Sequence, residues 1–261
     1  MDLGLMGKIA VVTGASKGIG LAVTKALTAE GAHVVAGSRS GGAELERLED
    51  AGTVSFVPVD LSTPGGPIAL IERAEALGGV DILVNNAGSV TPRPDGFASV
   101  TDEQWLASWT LGVMATVRTT RAAIPQLVRR GGGSIVTISS VNAFLPDPGV
   151  IDYCAAKAAL SNICKSLSKE YGAEGIRVNT VSPGPVATDL WLGKGGVAET
   201  IAGAPGESAA RVADTAAAES VTGRFTTPDE VADVVLFLAG DKAGNVTGSD
   251  FTIDGGLIKT L

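Results

Sequence analysis

The chain has 261 residues, a length that fits one large α/β domain and leaves little room for a second, so we expect residues 1–261 to form a single domain. The net charge is −8, and no cluster of lysines and arginines carries interleaved aromatic residues, which opposes nucleic-acid binding. No run approaches the roughly 18 apolar residues that span a bilayer, and Met1 to Gly7 are too short and too weakly basic for a signal peptide, so we expect a cytoplasmic protein without a membrane partner.

Apolar runs of strand length alternate with helical stretches along the chain. Their continuous apolar character indicates strands that are buried on both faces, which is typical of a parallel sheet covered by helices. The sequence therefore predicts a doubly wound, Rossmann-like α/β fold with seven parallel strands. The predicted strands are Ile9–Thr13, His33–Gly37, Val54–Val59, Val80–Val84, Ser134–Ile138, Ile176–Val181 and Asp250–Ile253; the predicted helices end near Glu30, Ala51 and Leu77 or span Asp102–Arg130, Ile151–Tyr171 and Pro228–Ala239.

One stretch, Asp189 to Gly223, breaks this alternation. It is rich in alanine and glycine, has a weak helical pattern and contains no predicted strand. A long segment of this kind inside a domain is usually a functional lid or a mobile loop. We expect it to cover an apolar substrate with Leu190, Trp191, Leu192 and Ile201.

Metal ligands are few and scattered. His33 is the single histidine, and Cys154 and Cys164 lie ten residues apart in one predicted helix, a rise of about 15 Å. That separation prevents a disulfide between them, and no usual ligand spacing for a metal is present. The sequence predicts two buried thiols and no metal site.

A glycine-rich turn, Thr13-Gly14-Ala15-Ser16-Lys17-Gly18-Ile19-Gly20, follows the first strand and opens a helix. In a doubly wound sheet this turn holds a pyrophosphate, because glycines allow close backbone approach and the helix N-terminus offers free N–H groups. The glycine spacing is four then two, which departs from the commoner G-x-G-x-x-G. Its position after the first strand nevertheless indicates a dinucleotide site.

The end of the second strand indicates which dinucleotide binds. An acidic side chain there would hold a ribose 2′-hydroxyl and repel a 2′-phosphate, but this chain has Ser38 followed by Arg39. Lys17, in the glycine turn, offers a second positive charge to the same phosphate. Each cation alone is also typical of a solvated surface; together they favour NADP(H).

Tyr153 and Lys157 lie four residues apart and therefore share one face of a helix. A tyrosine with a pKa of about 10 is a poor base near neutrality, and we expect the neighbouring ammonium to lower that pKa. Ser139 and Ser140, after the fifth strand, would present a hydroxyl to the same substrate oxygen. By itself, a Tyr-x-x-x-Lys match also arises by chance on exposed helices.

Taken together, these motifs resemble those of the short-chain dehydrogenase/reductase family, in its compact single-domain branch, over essentially the whole chain. The matching elements are Thr13 to Gly20, Asp60-Leu61, Asn85-Asn86-Ala87-Gly88, Ser140, Tyr153 with Lys157, Pro183-Gly184 with Thr188, Thr247-Gly248 and Asp254-Gly255-Gly256. In combination they are highly specific.

The resemblance implies roles for these positions. Ser140 would orient the substrate, Tyr153 would pass the proton, and Lys157 would bind the nicotinamide ribose. The implied cofactor contacts are Gly14, Ser16, Lys17, Gly18, Ile19 and Gly20 at the phosphates, Ser38 and Arg39 at the 2′-phosphate, Asp60 and Leu61 at adenine, Asn86, Ala87 and Gly88 at ribose, and Pro183, Gly184, Val186 and Thr188 at nicotinamide. It also implies a homotetramer or a homodimer.

One position departs from the family pattern. The family commonly has an asparagine seven residues after a tryptophan such as Trp105, where it helps hold a water of the proton relay. Here that position is Gly112, which puts the relay in doubt but not the hydride transfer.

Three functions remain open. The first is an NADP(H)-dependent reductase or dehydrogenase that acts on a fairly bulky, apolar ketone or alcohol, since such pockets are mostly hydrophobic with a few polar groups. The second is 3-oxoacyl-carrier-protein reduction, which would suit a shorter lid and a basic docking surface better. The third is a non-catalytic NADP(H)-binding sensor or scaffold, which Gly112 favours and the intact Ser140, Tyr153 and Lys157 oppose.

Overall fold

A computed structural model describes residues 2–203 and 208–260. Seven strands form one sheet in the order β3-β2-β1-β4-β5-β6-β7, and every neighbouring pair is parallel. The strand order reverses direction between β1 and β4, which creates a crevice at their carboxyl ends. The strands are β1 Ile9–Thr13, β2 His33–Ser38, β3 Val54–Pro58, β4 Ile82–Asn85, β5 Gly133–Ile138, β6 Ile176–Pro183 and β7 Asp250–Ile253.

Helices cover both faces of the sheet, so the doubly wound prediction is confirmed. On one face α1 and α10 pack over Val12, Val34 and Val84; on the other α3 and α5 pack over Val11 and Leu83. The helices are α1 Gly18–Ala29, α2 Ala43–Asp50, α3 Gly65–Ala76, α4 Asp102–Trp109, α5 Ala115–Arg129, α6 Ile151–Glu170, α7 Asp189–Leu192, α8 Val197–Ile201, α9 Ala209–Glu219 and α10 Pro228–Ala239. Within the described residues, no helix combines the length and hydropathy that a membrane crossing requires.

The long helix predicted from Asp102 to Arg130 is interrupted. A π-helical turn at Thr110–Met114 separates α4 from α5, and the Ala115 N–H bonds the carbonyl of Thr110, five residues back. The prediction was wrong here because hydrophobic periodicity does not register a single extra residue in a helical turn. The same stretch contains Gly112.

The segment from Asp189 to Gly223 contains the short helices α7, α8 and α9 and no strand among its described residues, which agrees with the weak helical pattern. Its two ends meet, because an isolated bridge pairs Val186 with Thr226. The segment is therefore a long insertion after β6 whose flanking residues lie next to each other. Residues 204–207 of the predicted lid lie outside the described residues.

Candidate active site

A cleft of about 1010 Å³ lies at the carboxyl ends of the strands. The walls come from the β1–α1 turn, the ends of β2, β4, β5 and β6, the start of α6 and the α7–α9 segment. All of the predicted site residues except Gly20 line it: Gly14, Ser16, Lys17, Gly18, Ile19, Ser38, Arg39, Asp60, Leu61, Asn86, Ala87, Gly88, Ser140, Tyr153, Lys157, Pro183, Gly184, Val186 and Thr188. The fold thus brings residues far apart in sequence into one site.

The glycine turn owes its shape to left-handed backbone conformations. Gly14 has a φ of 66° and Gly18 a φ of 54°, values that glycine adopts at little cost. Gly20 differs, since a Cβ there would lie 2.2 Å from the Gly14 carbonyl oxygen. Gly20 therefore serves the packing of α1 against the turn and does not itself reach the cleft.

The turn is fixed to β4 by hydrogen bonds. Asn86 Nδ2 donates to the carbonyls of Thr13 and Gly14, at 3.0 and 3.1 Å. Thr13 Oγ1 accepts from the backbone N–H groups of Asn86 and Ala87, at 2.9 and 3.0 Å. The Asn86 side chain thus positions the glycine turn against the end of β4.

The donor set fits a dinucleotide. α1 begins at Gly18 with no side-chain cap and no acidic residue in its first turn, so its N-terminal N–H groups are suited to a phosphate. Lys17 and Arg39 are both exposed on the cleft. Ser38 is buried, and its hydroxyl donates to the carbonyl of Ser40 at 2.8 Å. No acidic side chain occupies the end of β2, as the sequence predicted.

The residues expected to contact adenine, Asp60 and Leu61, lie in a turn after β3. Asp60 accepts hydrogen bonds from the hydroxyl and the N–H of Ser62, which, together with the nearby charge of Arg39, keep the pKa of Asp60 below its ordinary value. Arg118 on α5 donates to the Ser62 carbonyl at 2.9 Å. No local pattern marks Arg118 for this task, because its partner lies 56 residues away.

Tyr153 and Lys157 meet Ser140 where β5 ends. Lys157 Nζ lies 5.6 Å from the centre of the Tyr153 ring and donates to the carbonyl of Ile138 at 2.7 Å. Ser140 lies beside Tyr153, and its hydroxyl donates to Asn142 Oδ1 and accepts from the Asn142 N–H, both at 3.2 Å. This arrangement brings two hydroxyl groups to one wall of the cleft.

The direction of the Tyr153 pKa shift differs from the expectation. Burial raises the pKa of Tyr153, and the hydrogen bond with Ser140 opposes that rise only in part. Burial also lowers the pKa of Lys157 to about 8. The predicted lowering of the tyrosine pKa is not seen in this arrangement, because desolvation of the buried hydroxyl is the largest influence on it.

Comparison with known proteins decides the family. The family profile described as "Enoyl-(Acyl carrier protein) reductase" matches residues 14–258. The chain belongs to the short-chain dehydrogenase/reductase family.

Similar proteins cover the chain almost completely. A crystal structure of L-sorbose reductase from Gluconobacter frateurii, complexed with NADPH and L-sorbose, is 37% identical with a TM-score of 0.91, and the match covers 100% of both chains. 2,5-dichloro-2,5-cyclohexadiene-1,4-diol dehydrogenase LinX from Sphingobium indicum is 34% identical over 97% of this chain and 96% of its own length. 3-oxoacyl-[acyl-carrier-protein] reductase FabG from Thermotoga maritima is 32% identical over 97% and 99%. This short-chain dehydrogenase/reductase is an oxidoreductase.

A buried ion pair next to the site was not predicted. Arg93 Nη2 lies 2.5 Å from Asp152 Oδ2, and the Ser108 hydroxyl donates to the same oxygen at 2.6 Å. Burial would raise the pKa of Asp152, but the bonds from Arg93 and Ser108 outweigh it and hold that pKa below its ordinary value. Arg93 also lines the cleft. The partners are 59 residues apart, so only the fold reveals the pair.

Gly112, the departure from the family pattern, lies in the π-helical turn and faces α6. A Cβ at this position would lie 3.2 Å from the Cβ of Ala156, the residue before Lys157. The missing side chain thus permits close packing of the two helices beneath the active site.

Of the residues expected to cover a substrate, Leu190, Trp191 and Ile201 line the cleft. Leu192 does not line it and is 49% exposed, because α7 is a single turn that points Leu192 elsewhere. The Trp191 ring packs on Phe225 with 5.4 Å between ring centres. The acidic residues Asp147, Asp189 and Glu219 also line the cleft. Among the described residues, no group of three or more His, Cys, Asp and Glu side chains is placed to hold a metal.

Proposed function

We propose that this oxidoreductase uses NADP(H) to transfer hydride between the nicotinamide and a carbonyl or secondary alcohol, with Tyr153 as the proton donor and acceptor. The observation that carries the proposal is the meeting of Ser140, Tyr153 and Lys157 on one wall of the cleft whose other end is the glycine turn.

Each residue has a separate task in carbonyl reduction. NADPH, when bound, supplies the hydride to the carbonyl carbon. Ser140 donates a hydrogen bond to the carbonyl oxygen and so fixes its position. Tyr153 gives its phenolic proton to that oxygen, which becomes the alcohol hydroxyl. Lys157 stabilises the resulting phenolate and helps return a proton to it, a task suited to a group whose pKa is about 8. Oxidation of an alcohol follows these steps in reverse.

The cofactor preference rests on charge. Arg39 follows the end of β2, where a carboxylate would repel a 2′-phosphate, and Lys17 lies in the glycine turn; both are exposed and line the cleft. The similar L-sorbose reductase is described in complex with NADPH. Both observations support NADP(H) over NAD(H).

The substrate class follows from the cleft walls. Leu190, Trp191 and Ile201 supply an apolar surface that fits the body of a fairly bulky ketone. The α7–α9 segment acts as the lid over it. Neutral substrates are favoured because Asp147, Asp189 and Glu219 line the same cleft.

Reduction of a carrier-bound 3-oxoacyl thioester is the second candidate, supported by the similar Thermotoga maritima protein. The acidic cleft residues and the net charge of −8 oppose it, since carrier proteins are acidic. A non-catalytic sensor is opposed by the intact Ser140, Tyr153 and Lys157.

The rate of NADPH oxidation, followed by its absorbance with different substrates, distinguishes these functions. We expect oxidation of NADPH with neutral apolar ketones and little with a carrier-bound 3-oxoacyl thioester. Faster turnover of the thioester would favour the second candidate, and no turnover across a broad ketone panel, with NADPH still bound, would favour the sensor. Light scattering on the same protein tests the proposed homotetramer, for which a dimer is the alternative.

A further inference from the structure

Arg93 is held rigidly beside the active site. Its N–H donates to the Gly149 carbonyl at 2.7 Å, and its own carbonyl accepts from the Gly96 N–H at 3.0 Å. The side chain is only 9% exposed. Arg93 therefore presents a fixed group to the cleft that it lines.

The guanidinium is only partly used. Nε and Nη2 donate to the two carboxylate oxygens of Asp152, at 3.4 and 2.5 Å. Nη1 has no hydrogen-bond partner within residues 2–203 and 208–260. It is also not one of the fully buried side-chain atoms that lack a partner among these residues. Arg93 lines the cleft, so a ligand there is the group that we infer to satisfy Nη1.

Charge determines what these N–H groups would bind. Asp152 already neutralises Arg93, and Asp147 and Glu219 add negative charge to the same cleft. A second carboxylate or a phosphate would meet that negative charge, whereas a hydroxyl or carbonyl oxygen would not. A neutral oxygen is the group that satisfies Nη1 without electrostatic cost.

We propose that Arg93 binds a second oxygen of the substrate, so that the preferred substrates are neutral ketones and alcohols that carry a further hydroxyl or carbonyl group. This inference rests on the proposed function and narrows its substrate class. Two of the similar proteins are named for compounds of this kind, a polyhydroxylated ketone and a diol.

A purely structural role is the competing explanation, because the ion pair also ties the segment around Arg93 to the start of α6. Loss of such a tether would impair every substrate equally. The informative quantity is therefore a ratio, the kcat/KM for a hydroxyketone divided by that for the ketone without the hydroxyl.

The test uses cyclohexanone and its α-, β- and γ-hydroxy derivatives, with cyclohexanone carrying a carboxylate as the anionic probe. The variant is Arg93→Met combined with Asp152→Asn, which avoids leaving a buried charge unpaired. The matched control is Arg130→Met combined with Asp81→Asn, a second partly buried arginine–aspartate pair, neither member of which lines the cleft.

We expect the wild type and the control to prefer at least one hydroxyketone over cyclohexanone by about 10- to 100-fold, the value of one hydrogen bond to a charged group. The ratio should fall to within about threefold of unity in the Arg93 variant. An unchanged ratio in that variant, no preference in the wild type, or a preference for the carboxylate would overturn the proposal.

Binding keeps this test separate from the proposed reaction. Calorimetry measures the Kd of the same compounds for Tyr153→Phe protein loaded with NADPH, with and without the Arg93 and Asp152 substitutions. A hydroxyl preference in Kd that disappears with Arg93 supports the inference even when turnover is absent. Equal Kd values for hydroxylated and plain ketones contradict it even when turnover is fast.

Discussion

The two sides of the cleft are built differently. The proposed cofactor side consists of turns at the ends of parallel strands, held by hydrogen bonds such as that from the Asn86 N–H to Thr13 Oγ1. The substrate side consists of the short helices α7–α9 and the irregular chain around Arg93, with Leu190 44% exposed. We therefore assign the chemical step to the residues at the carboxyl ends of the strands. We assign recognition of a particular substrate to the α7–α9 segment and the chain around Arg93.

The largest effect is expected from removal of the Tyr153 hydroxyl, which lies at the carboxyl ends of the strands. We expect Tyr153→Phe to lower kcat by about 10² to 10⁴-fold, because the phenolic hydroxyl transfers the proton. NADPH affinity should stay nearly unchanged, as measured by fluorescence titration. Tyr171→Phe is the matched control, since Tyr171 is the other tyrosine of the chain and does not line the cleft.

More than about a tenth of wild-type turnover in Tyr153→Phe would remove Tyr153 from the reaction. It would also contradict the assignment of the chemical step to the carboxyl ends of the strands, because another group would then have to transfer the proton.

Cofactor choice is the next largest effect. We expect a preference for NADPH of tens- to thousand-fold in kcat/KM, since charge-assisted contacts to the 2′-phosphate contribute about 1.5 to 3 kcal/mol each. Ser38→Asp combined with Arg39→Leu should abolish or reverse it. Arg47→Leu, which removes an exposed arginine from α2, should leave it unchanged.

Equal efficiency of the wild type with NADPH and NADH would contradict this assignment. Loss of the preference in Arg47→Leu would show that it arises from net charge and not from the end of β2.

The sequence predicted correctly those structural features that depend on a few neighbouring residues. The strand positions, the glycine turn and the residue at the end of β2 are each readable within a few residues, and all were placed correctly apart from strand ends shifted by one or two positions. It failed where tertiary packing decides. The Arg93–Asp152 pair joins distant segments, the π-helical turn breaks no periodicity, and the rise in the Tyr153 pKa depends on burial that no local pattern encodes.

Lys157 gives a test that does not require turnover. Burial lowers its pKa to about 8 from 10.5, so between these values the unfolded chain binds more protons than the folded one. The contribution of Lys157 to the free energy of unfolding should therefore rise with pH in this range. We expect the folding equilibrium constant of the wild type, relative to that of a variant without the amine, to rise by up to about a hundredfold between pH 8 and 10. The comparison is needed because burial raises the pKa values of Cys154 and Cys164, which act in the opposite direction in both proteins.

Urea unfolding across this range, in the wild type and in Lys157→Met, measures the effect. The difference in the free energy of unfolding between the two proteins should grow with pH over this range. Parallel curves for the two proteins would mean that Lys157 keeps an ordinary pKa and that the sheet edge does not desolvate it.

The smallest effect is expected at Gly112, in the π-helical turn between α4 and α5. We expect Gly112→Asn to raise kcat by less than about tenfold and to lower the solvent deuterium isotope effect, because an amide there would help fix a relay water. Gly112→Ala is the matched control, since its Cβ meets the same crowding against Ala156 without the amide. Rates are measured well below Tm, because replacing a helical glycine also changes stability.

If both values stay unchanged in folded Gly112→Asn, the glycine is a tolerated substitution and the relay needs no side chain there. A rise of equal size in Gly112→Ala would assign the effect to helix packing.

The π-helical turn also limits how the chain can vary in length. On one side of it Ser108 bonds Asp152, and on the other Thr120 accepts a hydrogen bond from Asn85 Nδ2 at 3.0 Å. Each residue of a helix adds a rotation of about 100°. The π-helical turn absorbs one extra residue in a wider turn, so the helices on its two sides keep these partners. A residue inserted between Ala115 and Thr120, where the helix is regular, would turn Thr120 by that angle away from Asn85. This stretch therefore tolerates changes of side chain more readily than a change in the number of residues.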